Sequence, residues 1–192
     1  MCLPGRAAPR VALLLLLAVG AAAHPPREYL DEQTAATVTV VREPLIFAFA
    51  RRDLAANARD YVTLAPAAVN RMGRISYVLI LYFWSTIDPR LRSDAAPDNR
   101  HVVLLADDRQ IELHLSSQTP QEAGIGVAVH APRGIGATPS VYAADLSLIR
   151  FLGESRQLLL RADLGVTTLD YELWQDRRAD LRDFVQHMSG AD

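Results

Sequence analysis

Arg74–Thr86, R-I-S-Y-V-L-I-L-Y-F-W-S-T, is the most apolar run beyond the N-terminal segment. From Tyr77 to Trp84 every side chain is aliphatic or aromatic. Successive side chains of a strand point to opposite faces. Ile75, Tyr77, Leu79, Leu81 and Phe83 therefore share one face, and Val78, Ile80, Tyr82 and Trp84 the other. Both faces are apolar, so both have to be covered, unlike a strand that alternates apolar with polar because one side is wet. A buried helix has the same hydropathy. The β-branched and aromatic content favours a strand, and Gly73 supplies a turn before it.

The expected partner is Tyr61–Val69. A turn at Met72-Gly73 sets Tyr61 against Trp84, Thr63 against Tyr82, Ala65 against Ile80, Ala67 against Val78 and Val69 against Ser76. Small residues then face large ones, which fills a layer without voids. Pro66 cannot donate to a ladder, so this partner is expected to be an edge strand or bulged there. Arg71 and Arg74 meet across the proposed turn, which leaves a longer loop or a shifted register as the alternative.

Working outward, Met1–Ala23 has the layout of an export signal. Arg6 and Arg10 precede the apolar run Val11–Val19, and Ala21-Ala22-Ala23 offers a small-residue cleavage site. The 13 residues Val11–Ala23 fall short of the roughly 20 of a transmembrane helix. An uncleaved interfacial anchor is the other reading. No twin-arginine pair precedes the apolar run, which favours the general secretory route, with the periplasm as destination and full secretion as alternative. Cleavage after Ala23 leaves 169 of the 192 residues, enough for one domain with its own core. No transmembrane segment is expected beyond it. Cys2 is the sole cysteine and departs with the signal, so no disulfide is expected.

The remaining chain carries 18 Arg against 22 acidic residues, a formal charge of −4, and no Lys anywhere. An all-arginine, alanine-rich composition is the codon signature of a GC-rich bacterial genome. The absence of a basic field gives no reason to expect nucleic acid as a partner. The partner expected is an envelope protein or a small ligand.

Residues 24–33 read as a polar, irregular spacer before a single domain over 34–190. Thr34–Arg42 and Leu45–Ala50 read as strands separated by Pro44. His101–Ala106 and Gln110–Leu115 read as a hairpin around Asp107-Asp108, and Arg156–Leu164 with Gly165–Trp174 as a third. Thr138-Pro139 has the form of a helix start, giving a helix near 139–152 that stops at Gly153. A second helix near 177–188, capped by Asp176, carries Leu181, Phe184, Val185 and Met188 as one stripe. The fold class is α+β: a mostly antiparallel sheet of about seven or eight strands, two-layered or strongly curved, with two packed helices.

Chemistry is sparse. No H-x-H, H-E-x-x-H or G-x-S-x-G pattern occurs, so neither a metal nor a cofactor is expected. Gly124-Ile-Gly126 and Gly134-Ile-Gly136 do not complete G-x-G-x-x-G, because Val129 and Pro139 occupy the third-glycine positions. Tyr82 and Trp84 share a face that is core if covered and a binding surface if not, and core packing is the usual role of such residues. Two loops attract attention, Ile87–Arg100 and the glycine-rich Ser116–Thr138, in which Ile125–Ala131 reads as a short strand. Their ends supply the candidate binding residues Asp88, Arg90, Arg92, His101, His130 and Arg133. The first expectation is a non-catalytic binding or interaction domain. The alternative is a hydrolase using His101, His114 or His130 with Asp88, Asp107 or Asp108. No stretch resembles a named family closely enough to carry site residues across.

Overall fold

The computed structural model describes residues 25–86, 101–116, 119–133, 137, 139–163 and 167–190. Asp88, Arg90 and Arg92 lie outside the described residues, as do the expected signal segment and the Gly134-Ile-Gly136 triplet. The fold is α+β and mostly antiparallel. Ten described strands belong to one sheet, so the two-layered arrangement does not occur, and the count exceeds the expected seven or eight. The sheet is uncurled.

The apolar stretch is β5 (Arg74–Ser85), and β4 (Arg59–Arg71) pairs with it along its length in the expected register, Tyr61 opposite Trp84 through Val69 opposite Ser76. Met72 and Gly73 both have positive φ, at 52° and 82°, as a two-residue turn matched to strand twist requires. Arg71 and Arg74 do pair. Their repulsion is relieved because Arg71 donates to the Glu122 and Gln121 carbonyls at 2.9 and 3.2 Å.

Pro66 corrects the expected edge. β4 is central, with β5 on one side and two strands on the other. β2 (Ala36–Val40) pairs with residues 67–70, and β3 (Leu45–Ala50) with residues 59–64. Between those ladders the Val41 N–H reaches the Pro66 carbonyl at 3.4 Å. A strand residue's N–H and C=O point the same way, so the missing donor of Pro66 faces the break between β2 and β3, where no ladder bond is lost.

The supposed spacer contains β1 (Arg27–Asp31), which pairs with β2, Arg27 opposite Val40. Beyond β3 follow β10 (Thr168–Gln175), β9 (Leu158–Asp163), β6 (His101–Ala106) and β7 (Arg109–Leu113). The expected single helix near 139–152 divides. Pro139–Ala144 is β8, paired with Tyr77–Tyr82 of β5, and α1 (Leu146–Glu154) starts only after Asp145. The Asp145 carboxylate accepts the Leu148 N–H at 2.7 Å and stands below its ordinary pKa, held there first by the Ser147 hydroxyl and then by that N–H. Gly153 lies inside α1 rather than ending it. A Cβ there would stand 3.3 Å from Leu181 Cβ and Arg182 Cγ, so the glycine sets the close approach to α2 (Arg178–Ser189). Asp176 is not the cap expected of it: the N-cap of α2 is Arg177, which makes no side-chain capping bond, and Asp176, one residue earlier, accepts the Arg178 N–H at 3.0 Å.

Both faces of β5 are covered, by different means. Leu79, Leu81 and Phe83 join the larger core, closed by Ile149 and Leu152 of α1 and by Leu181, Phe184, Val185 and Met188 of α2. Val78, Ile80 and Tyr82 join a second cluster with Val38, Val69 and Val141, closed by Ala123, Ile125 and Val129. Those three come from the glycine-rich loop, in which Ile125–Ala131 forms no strand. After β7 the chain touches β8 through a Leu115–Tyr142 bridge, with the Ser116 N–H on the Val141 carbonyl at 2.7 Å.

Candidate functional site

Residues 119–133 are pinned to the second face by polar contacts, because no apolar stripe of a regular element is available. The buried Asp31 carboxylate accepts four backbone N–H groups. Those of Gln33 and Thr34 come from its own turn at 3.0 and 3.2 Å, and those of Gly126 and Val127 from the loop at 2.7 and 3.0 Å. Burial pushes this carboxyl up, but the four donors together outweigh it and hold it below its ordinary value. The Thr34 hydroxyl donates to the Gly124 carbonyl at 2.9 Å. Gly124 has φ +98°, and a Cβ there would stand 2.5 Å from Val69 Cγ1. A glycine is therefore needed both for the turn and for the contact.

The cover stops short, and where it stops a cleft of about 640 Å³ opens. Its floor is the same sheet face continued: Ile46 of β3, Thr63 of β4 and Trp84 of β5. Trp84 donates from Nε1 to Thr63 Oγ1 at 3.0 Å and stacks on Tyr61 with centroids 4.3 Å apart. This divides the expectation for the aromatic pair. Tyr82 is core, with its phenol pushed up to about 12 by burial, while Trp84 reaches the cleft.

Three arginines edge the cleft, and the fold explains why they converge. Pairing of β1 with β2 sets Arg27 opposite Val40, two positions before Arg42. His130 Nε2 lies 2.8 Å from the Val41 carbonyl, which fastens the loop beside them and brings Arg133 to the same edge. A carbonyl only accepts, so Nε2 carries the proton and Nδ1 is left as an acceptor in the neutral ring. Burial lowers the His130 pKa below its ordinary value, with Arg27 acting in the same direction against the Val41 carbonyl, Glu43 and Asp180. The imidazole is therefore neutral at pH 7. Its backbone is left-handed, φ 53°, a conformation histidine tolerates better than most residues. Among the described residues Glu43 is the one acid lining the cleft, and Arg27, Arg42 and Arg133 form no ion pair with another of them.

Of the expected site residues, His130 and Arg133 come together here. His101 does not. It sits on β6, with Nε2 2.6 Å from Glu112 on β7, an exposed cross-strand pair. Of the hydrolase candidates, His114 is exposed, and Asp107 accepts the Arg156 and Gln157 N–H groups at 2.9 Å each, a structural role. Sequence reading missed Arg27 and Arg42 as site residues. Trp84 was raised only with Tyr82, from the alternation of β5, as core if covered and a binding surface if not. Among the described residues no group of three or more His, Cys, Asp or Glu could hold a metal, and no helix is long and apolar enough to cross a membrane.

No family model, no curated protein and no solved structure matches this chain.

Proposed function

We propose that this chain is an exported bacterial envelope protein and a non-catalytic binding domain that takes a small anionic ligand in the cleft over Trp84. The observation that carries the reading is the convergence of Arg27, Arg42 and Arg133, with Glu43 as the single acid among the described lining residues. Guanidinium groups are weakly hydrated and match carboxylate and phosphate geometry. A partly enclosed wall of low polarisability strengthens their field over that of freely solvated arginines. The apolar and aromatic floor suits a ligand with an organic body as well as a charge, and the volume is in the range of small-molecule sites. The signal-like N-terminus supports export through the general secretory route, with the periplasm as the destination.

Isothermal titration of the purified chain with citrate, indole-3-acetate and inorganic phosphate tests this. At least one should bind, more weakly at high salt, and Arg42→Ser with Arg133→Ser should weaken it by about tenfold or more. Equal affinity for wild type and double variant, or no binding by any anion, would remove the reading.

A further inference from the structure

The second face continues past the cleft. β3 presents Ile46, Ala48 and Ala50 to it in succession. Ile46 belongs to the cleft, whereas Ala48 and Ala50 line a second depression of about 420 Å³ with Arg52, Arg59, Glu172 and Trp174. One cross-sheet row links the two. Ala48 is opposite Glu172 on β10 and Tyr61 on β4, and Tyr61 is opposite Trp84. From Ile46 to Ala50 is about 13 Å at the usual strand rise.

The far side of the depression is built by an irregularity. Leu173 pairs with Phe47 and Gln175 with Ile46, so Trp174 is an extra residue opposite β3. Such bulges re-aim side chains. Trp174 is 52% exposed, and the Arg59 guanidinium lies 4.5 Å over its ring. Charge differs between the two ends. Among the described lining residues, the cleft has three Arg against Glu43, while the depression sets Arg52 and Arg59 against Glu172 and an Asp170 already paired with Arg161 at 2.6 and 2.8 Å.

We infer that cleft and depression are two subsites of one groove for an acidic oligosaccharide. The arginine end takes a carboxylate-bearing sugar, and the Trp174 end takes a further, hydroxyl-rich ring. The Arg52 and Arg59 guanidinium groups and the Glu172 carboxylate supply donors and acceptors for hydroxyls. The alanines leave room for a ring, and the half-exposed indole offers an apolar surface to its C–H groups. An acyl chain fits this end poorly, because it would cover Arg52, Arg59 and Glu172 without offering them a partner. The inference rests on the anion-binding reading of the cleft.

Calorimetric titration with galacturonate, trigalacturonate and the neutral maltotriose tests it. Trigalacturonate should bind about tenfold or more tighter than galacturonate, the gain expected of a linked second contact, and maltotriose should bind weakest. Trp174→Ala, checked for an unchanged thermal melt, should abolish the chain-length gain and leave galacturonate affinity as it was. Equal affinity for monomer and trimer, or a gain that survives Trp174→Ala, would overturn the two-subsite groove. Binding of citrate or phosphate without either galacturonate form would overturn the sugar assignment and spare the anion reading, whereas binding of no anion would overturn both.

Discussion

The two faces of β5 are equally apolar in sequence and are closed in opposite ways. The first is sealed by α1 and α2, whose stripes deliver Ile149, Leu152, Phe184 and Met188 into one continuous core. The second is sealed by an irregular segment that contributes few apolar side chains and is held by backbone hydrogen bonds to one carboxylate, Asp31. Regular amphipathic elements bury the length of β5 from Leu79 to Phe83 on one face, whereas a pinned loop closes only what its anchor reaches. Beside the end of the described part of that segment a cleft lies over the sheet, and Trp84 and three arginines line it.

The largest effect should come from the helix-covered face. Leu81 is fully buried, so Leu81→Asp places an uncompensated charge in the core and should prevent folding. A soluble Leu81→Asp protein with a cooperative thermal melt would show that this face is not the main core. On the other face, Asp31→Ala strips the acceptor from four N–H groups and should lower stability by about 3 kcal/mol in a denaturant titration. It should also speed proteolysis within residues 119–133 while β4 and β5 stay protected. Even protection across both would mean the faces are not closed separately.

Acid sharpens the same comparison. Asp31 titrates below its ordinary value in the folded chain. Its stabilisation is therefore complete above the unfolded value, about pH 4, and disappears as pH falls through the folded value. The stability gap between wild type and Asp31→Ala should shrink only below that pH. A gap already closing at pH 6 would assign the latch to another group.

Much of the first face was legible in the sequence. The β4–β5 register follows from small residues facing large ones around a Met72-Gly73 turn, and the α2 stripe follows from spacing alone. Reading 139–152 as one helix failed because β8 is fixed by long-range pairing with β5, which no local window contains. Asp145, the cap that divides strand from helix, looked like an ordinary helical residue. Pro66 misled for a related reason, since its missing donor is harmless only because β2 and β3 leave a break there. His130 and Arg133 were visible as basic residues in a glycine-rich loop. Arg27 and Arg42 were not, because only the pairing of β1 with β2 and the His130–Val41 contact bring them to the same edge.

The loop-covered face ends in a cationic cleft over Trp84, and Trp84 can report on it without any natural ligand. With Trp174→Phe, Trp84 is the only indole. Its fluorescence should be quenched by iodide at least about twofold more efficiently than by caesium at matched ionic strength, because the arginine edge concentrates anions. Arg42→Ser with Arg133→Ser should erase that preference. Equal quenching by the two ions in the Trp174→Phe protein, or stronger quenching by caesium, would mean that no cationic edge lies beside Trp84.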